Sequence, residues 1–294
     1  MQFDPVALIV LNAILACMMF GVALSLKVDD FARIARDPRA PLVGLLAQFL
    51  LLPAATCLMT WAFDVDPELA LGMILVAACP GGTFSNIMTW IGRANVAASV
   101  SMTAVSSLAA TVLTPFNFAF YGWLNPHTRA LVTEIALDPV NILMLVAAVL
   151  ALPLLLGMLT ARHAPGFAAR AQKPLRLASL LVLLGFVAIA FAQKMDVFFA
   201  NAERIVALVV GQNALALALG AGIGYAVHLS RGDRRAVTME VGIQNSGLGL
   251  SILFTFFPQA AGMILIAAFW GTWHLISGLT LALPWSRSAE HVRD

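Results

Sequence analysis

The chain has 294 residues, of which 61% are hydrophobic and 11% are charged, and its formal net charge is +2. A soluble domain carries roughly 25% charged residues, so this composition excludes an ordinary soluble protein and makes the lipid bilayer the expected surroundings. The near-neutral charge balance gives no reason to expect a nucleic-acid partner.

Nine apolar segments are long enough to cross a membrane as helices, which takes about 20 mostly apolar residues each. The first is followed by charged residues rather than a cleavage site, so it is interpreted as a retained span and not a signal peptide. The charged segment Thr128–Asp138 is placed at the membrane surface. The predicted spans are approximately Val6–Leu26, Pro41–Phe63, Leu69–Trp90, Ala94–Tyr121, Val140–Thr160, Leu175–Gln193, Ile205–His228, Ala236–Phe257 and Gly262–Trp285.

Lysine and arginine are distributed unevenly between the two sides of these spans. All but three of the 17 follow an odd-numbered span, and the exceptions are Arg129, Lys194 and Arg204. Basic residues accumulate on the cytoplasmic side, so the N-terminus is predicted outside and the C-terminus in the cytoplasm. The chain is thus expected to be a multi-pass integral membrane protein. Its low lysine and high alanine content fits a bacterial inner (plasma) membrane.

The three cysteines, Cys17, Cys57 and Cys79, all lie in apolar stretches. Their spacing fits neither a metal site nor a disulfide framework. They are therefore predicted to be small buried hydrophobic residues.

Spans three and eight each contain a polar interruption that includes glycine. Span three carries CPGGTFSN at Cys79–Asn86, where proline cannot donate to the helical ladder and two glycines follow. Span eight carries EVGIQNSGLG at Glu240–Gly249. Close helix packing alone is the alternative reading, and it is preferred for Gly247 and Gly249 taken by themselves.

The broken spans are five apart and therefore cross the membrane in opposite directions. Interrupted helices at matching positions of two oppositely oriented halves are typical of inverted-repeat transporters. In this register the second half has five helices and the first has four, without an opening helix. The predicted fold is an all-α membrane protein with inverted repeats and two broken crossing helices.

Glu240 is the acidic residue that is hardest to place in a loop. A charge at the centre of a bilayer costs roughly 2.5–3.5 kcal/mol on insertion scales, so an intramembrane carboxylate is functional by default. Because Glu240 lies near the predicted start of span eight, an interfacial glutamate is the structural alternative.

Neutral oxygen-bearing side chains accompany this carboxylate in the polar spans. Hard cations take such oxygen ligands together with unwound backbone carbonyls, which favours Na⁺, with a proton on Glu240 as the alternative. Half-helix N-termini could hold a substrate carboxylate or sulfonate. His274 is either a further hydrogen-bond donor or a satisfied packing residue. The oxygen-bearing residues are Gln48, Ser85, Asn86, Ser99, Thr103 and Gln244.

Three segments resemble the bile acid:sodium symporter family, and the likeness spans almost the whole chain. They are Pro80–Thr89 (PGGTFSNIMT), Asn95–Thr103 (NVAASVSMT) and Glu240–Leu248 (EVGIQNSGL). The resemblance implies inverted repeats, with a core domain that rocks against a panel domain. The missing opening helix resembles the nine-helix animal members of the family.

Carried over position by position, the resemblance implies two sodium sites and a substrate region. The first sodium site would use Ser85, Asn86, Ser99, Thr103 and Glu240. The second would use Gln48, Glu240 and Gln244, with main-chain carbonyls around Val241. Substrate would lie near Thr83, Asn245 and His274.

The resemblance further implies an organic anion as substrate, since family members carry bile acids, steroid sulfates and small carboxylates such as pyruvate or pantoate. The family often has Asn where this chain has Leu275, which weighs against bile acid itself. The core would comprise approximately residues 38–125 and 203–286, and the panel approximately 1–28 and 129–195. Residues 1–294 would form a single transporter unit, expected to be monomeric, with Na⁺ as coupling ion and no cofactor.

Two other functions are alternatives to the symporter. A proton-coupled carrier of the same architecture would use Glu240 as a proton relay, and sodium dependence separates it from the symporter. A membrane-embedded enzyme needs a nucleophile with a base, paired acids or a metal site. The membrane region offers only one glutamate and one histidine, so an enzyme is not expected.

Overall fold

The computed structural model describes residues 35–135, 139–193 and 195–288, together with positions 10, 13–14, 16–17, 19–21 and 23–24. This described part is helical and contains no strand, which confirms the predicted all-α class. In chain order the helices are α1 (Arg39–Ala62), α2 (Pro67–Ala78), α3 (Thr83–Ile91), α4 (Val96–Leu124), α5 (Arg129–Ile135), α6 (Pro139–His163), α7 (Pro165–Gln193), α8 (Met195–Ala226), α9 (Arg231–Gly242), α10 (Ser246–Phe256) and α11 (Ala261–Ser288).

Four of the described helices are long and apolar enough to cross a membrane. They are α1, α4, the part of α8 at Asn201–Ala226 and the part of α11 at Ala261–Arg287. Helices α2 and α10 are apolar but shorter. Span one, Val6–Leu26, lies mostly outside the described residues, so the count of nine spans stays a prediction.

Helix α2 lies at the centre of the helical packing. Every residue from Leu69 to Ala78 is buried, so its whole circumference meets protein rather than lipid. Asp66 caps its first turn by accepting the backbone amide of Glu68 at 3.0 Å. Gly72 allows close approach of α11, because a β-carbon there would lie 2.8 Å from the Cα atom of Met263.

The outward faces of the long helices carry large apolar side chains. Leu58 and Trp61 of α1, Val112 of α4 and Leu283 of α11 are each about half exposed in the isolated protein. Such faces suit a bilayer, where hydrocarbon replaces water as the solvent. Trp123 is exposed at the end of α4, the position that tryptophan prefers at a membrane interface.

The three cysteines differ in whether they face protein or the outside of the helical packing. Cys57 and Cys79 are buried as predicted, whereas Cys17 is exposed and that prediction was wrong. An apolar membrane helix is hydrophobic on its outward face too, so an apolar sequence run does not tell which of its residues face protein.

Candidate functional site

The first helix break lies between α2 and α3, at the position predicted from Pro80. Helix α2 ends at Ala78, Cys79 is extended with φ −71° and ψ 154°, and α3 begins at Thr83. Proline lacks an amide hydrogen and disfavours helical backbone in the residue before it. The local sequence therefore accounts for both the end of α2 and the extended backbone that follows.

The second break lies between α9 and α10 and contains no proline. Helix α9 ends at Gly242, Ile243 adopts φ −119° and ψ 93°, and α10 begins at Ser246. Asn245 caps the new helix, because its side-chain oxygen accepts the backbone amide of Leu248 at 3.1 Å.

The two breaks bond directly to each other in an isolated antiparallel bridge. The amide of Gly82 donates to the carbonyl of Ile243 at 3.1 Å, and the amide of Asn245 donates to the carbonyl of Pro80 at 2.8 Å. Broken helices leave backbone groups without intrahelical partners, and a membrane interior supplies no water to satisfy them. Each break thus satisfies backbone groups of the other.

Glu240 lies against the first break, where only glycine leaves room for it. A β-carbon built on Gly81 would overlap the carboxylate of Glu240. The glycine therefore serves close approach rather than unusual backbone angles, since no glycine of the described residues has positive φ.

Hydroxyl groups surround the Glu240 carboxylate, and we call this group the carboxylate cluster. The Ser85 hydroxyl donates to Oε2 at 2.7 Å, the Thr103 hydroxyl lies 3.0 Å from both carboxylate oxygens, and the Ser106 hydroxyl lies 3.5 Å from Oε1. Glu240 is only 1% exposed. Within the described part of the chain, no lysine or arginine forms an ion pair with it. The carboxylate is thus held by neutral donors alone.

Asn86 extends the carboxylate cluster. Its side-chain oxygen accepts hydrogen bonds from the Ser99 hydroxyl at 2.7 Å and the Thr103 hydroxyl at 3.1 Å. A hydroxyl can rotate its hydrogen away and present a lone pair instead, so each of these oxygens is also a possible ligand for a hard cation. The structure brings together all five residues that the sequence assigns to the first sodium site.

A second group, the amide cluster, joins α1 to the second break. The side-chain nitrogen of Gln48 lies 2.6 Å from both the carbonyl of Cys79 and Oε1 of Gln244. The side-chain nitrogen of Gln244 in turn lies 2.6 Å from the carbonyl of Val241. Within the described residues, no hydrogen bond joins this cluster to Glu240. The structure thus brings together three members of the predicted second site, with Glu240 one turn earlier on α9.

Gln48 belongs to a π-helical turn, Ala47–Leu51, inside α1. Such turns are rare and are frequent at functional sites. Asn117 of α4 supports this turn, because its side-chain nitrogen donates to the carbonyl of Phe49 at 2.8 Å. The turn could not be foreseen from the sequence, since its residues also suit an ordinary α-helix.

Two of the predicted substrate residues stand at the starts of half-helices, where Thr83 opens α3 and Asn245 caps α10. Both are half-buried. The buried ring of His274 lies 6.4 Å from that of Phe84, measured between ring centroids. The Trp270 carbonyl lies near this imidazole, but neither ring nitrogen makes a hydrogen bond of normal geometry within the described residues. All three residues therefore lie at or beside positive half-helix ends, which favour anions.

Two members of the carboxylate cluster region were missed by the sequence analysis. Ser106 reaches Glu240, and the Thr89 hydroxyl donates to the Ser99 hydroxyl at 3.2 Å. A usable signal existed for Ser106, because Ser99, Thr103 and Ser106 follow the i, i+4, i+7 spacing of one helix face.

Comparison with known proteins supports the resemblance stated from the sequence. The model of the Sodium Bile acid symporter family matches residues 12–201, which include the first break but not the second. A Bacillus subtilis protein described as the uncharacterized sodium-dependent transporter YocS is 28% identical over 278 residues, covering 94% of this chain and 83% of its own length.

Plant and human proteins are similar at the same level. A probable chloroplastic sodium/metabolite cotransporter of Arabidopsis thaliana, BASS1, is 28% identical over 94% of this chain and 66% of its own. Human sodium/bile acid cotransporter 4 is 28% identical over 84% of this chain and 56% of its own. Because the family model covers well over half of its residues, the chain belongs to the sodium bile acid symporter family.

Proposed function

We propose that this protein is a sodium-coupled symporter that carries an organic anion across the membrane by alternating access. The observation that carries the proposal is the buried Glu240 carboxylate, held by hydroxyl groups where two broken helices meet. The descriptions of relatives such as YocS as sodium-dependent transporters support the coupling ion, and membership of a symporter family supports a transport protein rather than an enzyme.

In the proposal, the carboxylate cluster is the first sodium site. Glu240 supplies one negative charge, and Ser85, Asn86, Ser99 and Thr103 supply neutral oxygens. A monovalent cation suits this set because one formal charge is balanced without a basic residue. The hydroxyls that now donate to Glu240 and Asn86 would turn their lone pairs toward the ion.

The second sodium site is assigned to the amide cluster. Gln48 and Gln244 would offer their side-chain oxygens, and the carbonyl of Val241 and the Glu240 carboxylate would complete the set. The mutual hydrogen bonds of the two glutamines would give way to the ion, so filling this site would reorganise the contact between α1 and the second break.

The anion is assigned to the region of Thr83, Asn245 and His274. Its negative group would meet the amide ends of α3 and α10, whose partial positive charges suit a carboxylate or sulfonate. Neither half-helix needs a buried arginine for this purpose. Leu275, which follows His274, offers no hydrogen bond and weighs against bile acid as the substrate.

The architecture that we propose has nine spans, inverted repeats and two mobile units. Residues of about 38–125 and 203–286 form the core, and about 1–28 and 129–195 form the panel. The chain would act as a monomer in a bacterial inner membrane, with its N-terminus outside and its C-terminus in the cytoplasm. Sodium would be coupled to transport because it binds more tightly to one of the two alternating-access states, which differ in how the two broken helices are arranged where they cross.

Thermal unfolding of the detergent-purified protein, titrated with NaCl or KCl, tests the proposal. A ligand that binds only the folded state raises the free energy of unfolding, by about 2.7 kcal/mol at a hundred times its dissociation constant, and the unfolding temperature rises with its concentration. We expect stabilisation by NaCl and not by KCl. Glu240→Gln, which keeps the size but removes the charge, should abolish the difference between the salts.

Equal responses to both salts in the wild-type protein would overturn sodium coupling. The same titration across pH, with uptake driven by a proton gradient, would then test the proton-coupled carrier. Where sodium stabilises the protein, uptake of labelled small carboxylates, sulfonates and steroid conjugates into sodium-free proteoliposomes, compared between external NaCl and external KCl, identifies the anion.

A further inference from the structure

Asn213 of α8 lies outside both sodium sites but bonds the broken end of α9, the helix that supplies Glu240 and Val241. Its side-chain nitrogen donates to the carbonyl of Gly242 at 2.8 Å. Gly242 is the last residue of α9, where the helix stops and its carbonyl loses the usual intrahelical partner. Asn213 is 1% exposed, so the bond is made away from water.

The carbonyl that Asn213 holds is central to the two proposed sites. Gly242 follows Val241 directly and lies midway in the sequence between Glu240 and Gln244. These three neighbours of Gly242 are all proposed ligands. A displacement of Gly242 would move the peptide units on either side of it, one of which carries the Val241 carbonyl while the other leads to Gln244. Holding the Gly242 carbonyl therefore restrains its neighbours on both sides.

Helix α8 is itself held firmly against α9 along the face that carries Asn213. A β-carbon on Gly220 would lie 2.8 Å from the Cα atom of Thr238, and one on Gly242 would overlap the side chain of Leu217. Residues 213, 217 and 220 follow helical spacing on one face. Because the two backbones are this close, the position of Asn213 is fixed relative to α9. A movement of the Gly242 carbonyl relative to α9 would therefore break the hydrogen bond.

Gln48 makes an equivalent bond at the other break. Its side-chain nitrogen donates at 2.6 Å to the carbonyl of Cys79, the residue that follows the last helical position of α2. Gln48 belongs to predicted span two and Asn213 to predicted span seven, which are five apart, as are the two broken spans. In each half, an amide from the preceding unbroken span thus holds the carbonyl end of a broken helix.

We infer that Asn213 is the counterpart of Gln48 in the second half and acts as a positioning residue for sodium binding. It does not coordinate the ion. It sets the orientation of the backbone at Val241 and Gly242 and thereby the spacing of Glu240, Val241 and Gln244. The inference rests on the proposed sodium coupling and adds to it a residue that neither the motifs nor the resemblance assigns.

The test is the Asn213→Leu variant, which keeps the size of the side chain and removes the donor. We expect the NaCl concentration for half-maximal thermal stabilisation to rise about tenfold, the effect of losing one hydrogen bond at a buried carbonyl. The anion concentration for half-maximal uptake, measured at saturating sodium, should change much less. A purely structural role would lower the unfolding temperature without this shift in sodium concentration.

Asn125→Leu is the matched control. Asn125 is also a fully buried asparagine, and its side-chain nitrogen donates to the Thr60 hydroxyl at 2.9 Å, far along α4 from the breaks. We expect it to lower the unfolding temperature in salt-free buffer and leave the sodium midpoint unchanged. Asn213→Thr, which keeps a hydroxyl donor, provides a milder second variant should Asn213→Leu fail to fold.

The outcomes separate the inference from the proposed function. A wild-type protein that does not distinguish NaCl from KCl would overturn sodium coupling itself. A wild type that responds to sodium, together with Asn213 variants whose sodium midpoint is unchanged or moves no more than that of Asn125→Leu, would overturn only the positioning role.

Discussion

The two helix breaks meet in one antiparallel bridge but have different causes. At the first, Pro80 and the glycines after it oppose a continuous helix before any tertiary contact forms. At the second, Ile243-Gln244-Asn245 could continue a helix, and the break depends on partners in other helices. Those partners are the backbone of the first break and the Asn213 side chain. One site can thus combine a helix break that its own sequence favours with a helix break that depends on hydrogen bonds from other parts of the chain.

The difference extends to how each new helix begins. Asn245 caps α10 with its own side chain, whereas Gly82 precedes α3 and offers no side chain for capping. At the second break, which has no proline, the Asn245 cap is the local feature that favours the start of a new helix. The following predictions test this contrast, from the largest expected effect to the smallest.

Gly81→Ala should have the largest effect, because its β-carbon would overlap the Glu240 carboxylate. Overpacking of this kind costs about 1–3 kcal/mol and would separate the breaks where sodium is proposed to bind. We expect the NaCl concentration for half-maximal thermal stabilisation to rise at least about tenfold. Sodium-driven uptake should fall as a result.

Gly82→Ala is the matched control for that change. A β-carbon on Gly82 would lie 3.4 Å from the Cα atom of Asn245, an ordinary contact distance. Its sodium midpoint should stay near that of the wild type. If both glycine variants lose the sodium response equally, the break needs backbone freedom in general and not room for Glu240.

Asn245→Ala should have an intermediate effect on stability. Removal of a helix N-cap costs about 1 kcal/mol, and here the cap also supports a break that has no proline. We expect a lower unfolding temperature in salt-free buffer, measured by thermal denaturation. Asn245→Ser keeps a capping oxygen and should restore most of the loss. An alanine variant as stable as the wild type would show that the cap contributes nothing to the second break.

Pro80→Ala should have the smallest effect, even though the proline is the clearest sequence signal of a break. The carbonyls of Cys79 and Pro80 accept hydrogen bonds from Gln48 and Asn245, and these bonds remain in the variant. We expect a loss of about 0.4–1 kcal/mol from the greater freedom of the unfolded chain, with the sodium midpoint preserved. A loss of the sodium response would instead mean that the proline alone keeps the first break open.

The sequence alone was sufficient for the all-helical membrane class, the positions of both breaks and the residues of the carboxylate cluster other than Ser106. The hydrophobic runs determine the class, since a lipid interior demands apolar side chains and internally satisfied backbone. Proline, glycine and intramembrane polar residues stand out against such runs. The family resemblance then assigned roles to Glu240, Gln48 and Gln244 that polarity alone left open.

Only the tertiary structure decided how these residues meet. Three contacts join segments far apart in the chain: the bonds between the two breaks, the approach of Ser106 to Glu240 and the bond of Asn213 to Gly242. The π turn that carries Gln48 is local, but its residues also suit an ordinary α-helix. A local pattern reports which backbone groups lose their helical partners and where polar side chains lie. It cannot report which distant donor reaches each free carbonyl, because that depends on how whole helices pack.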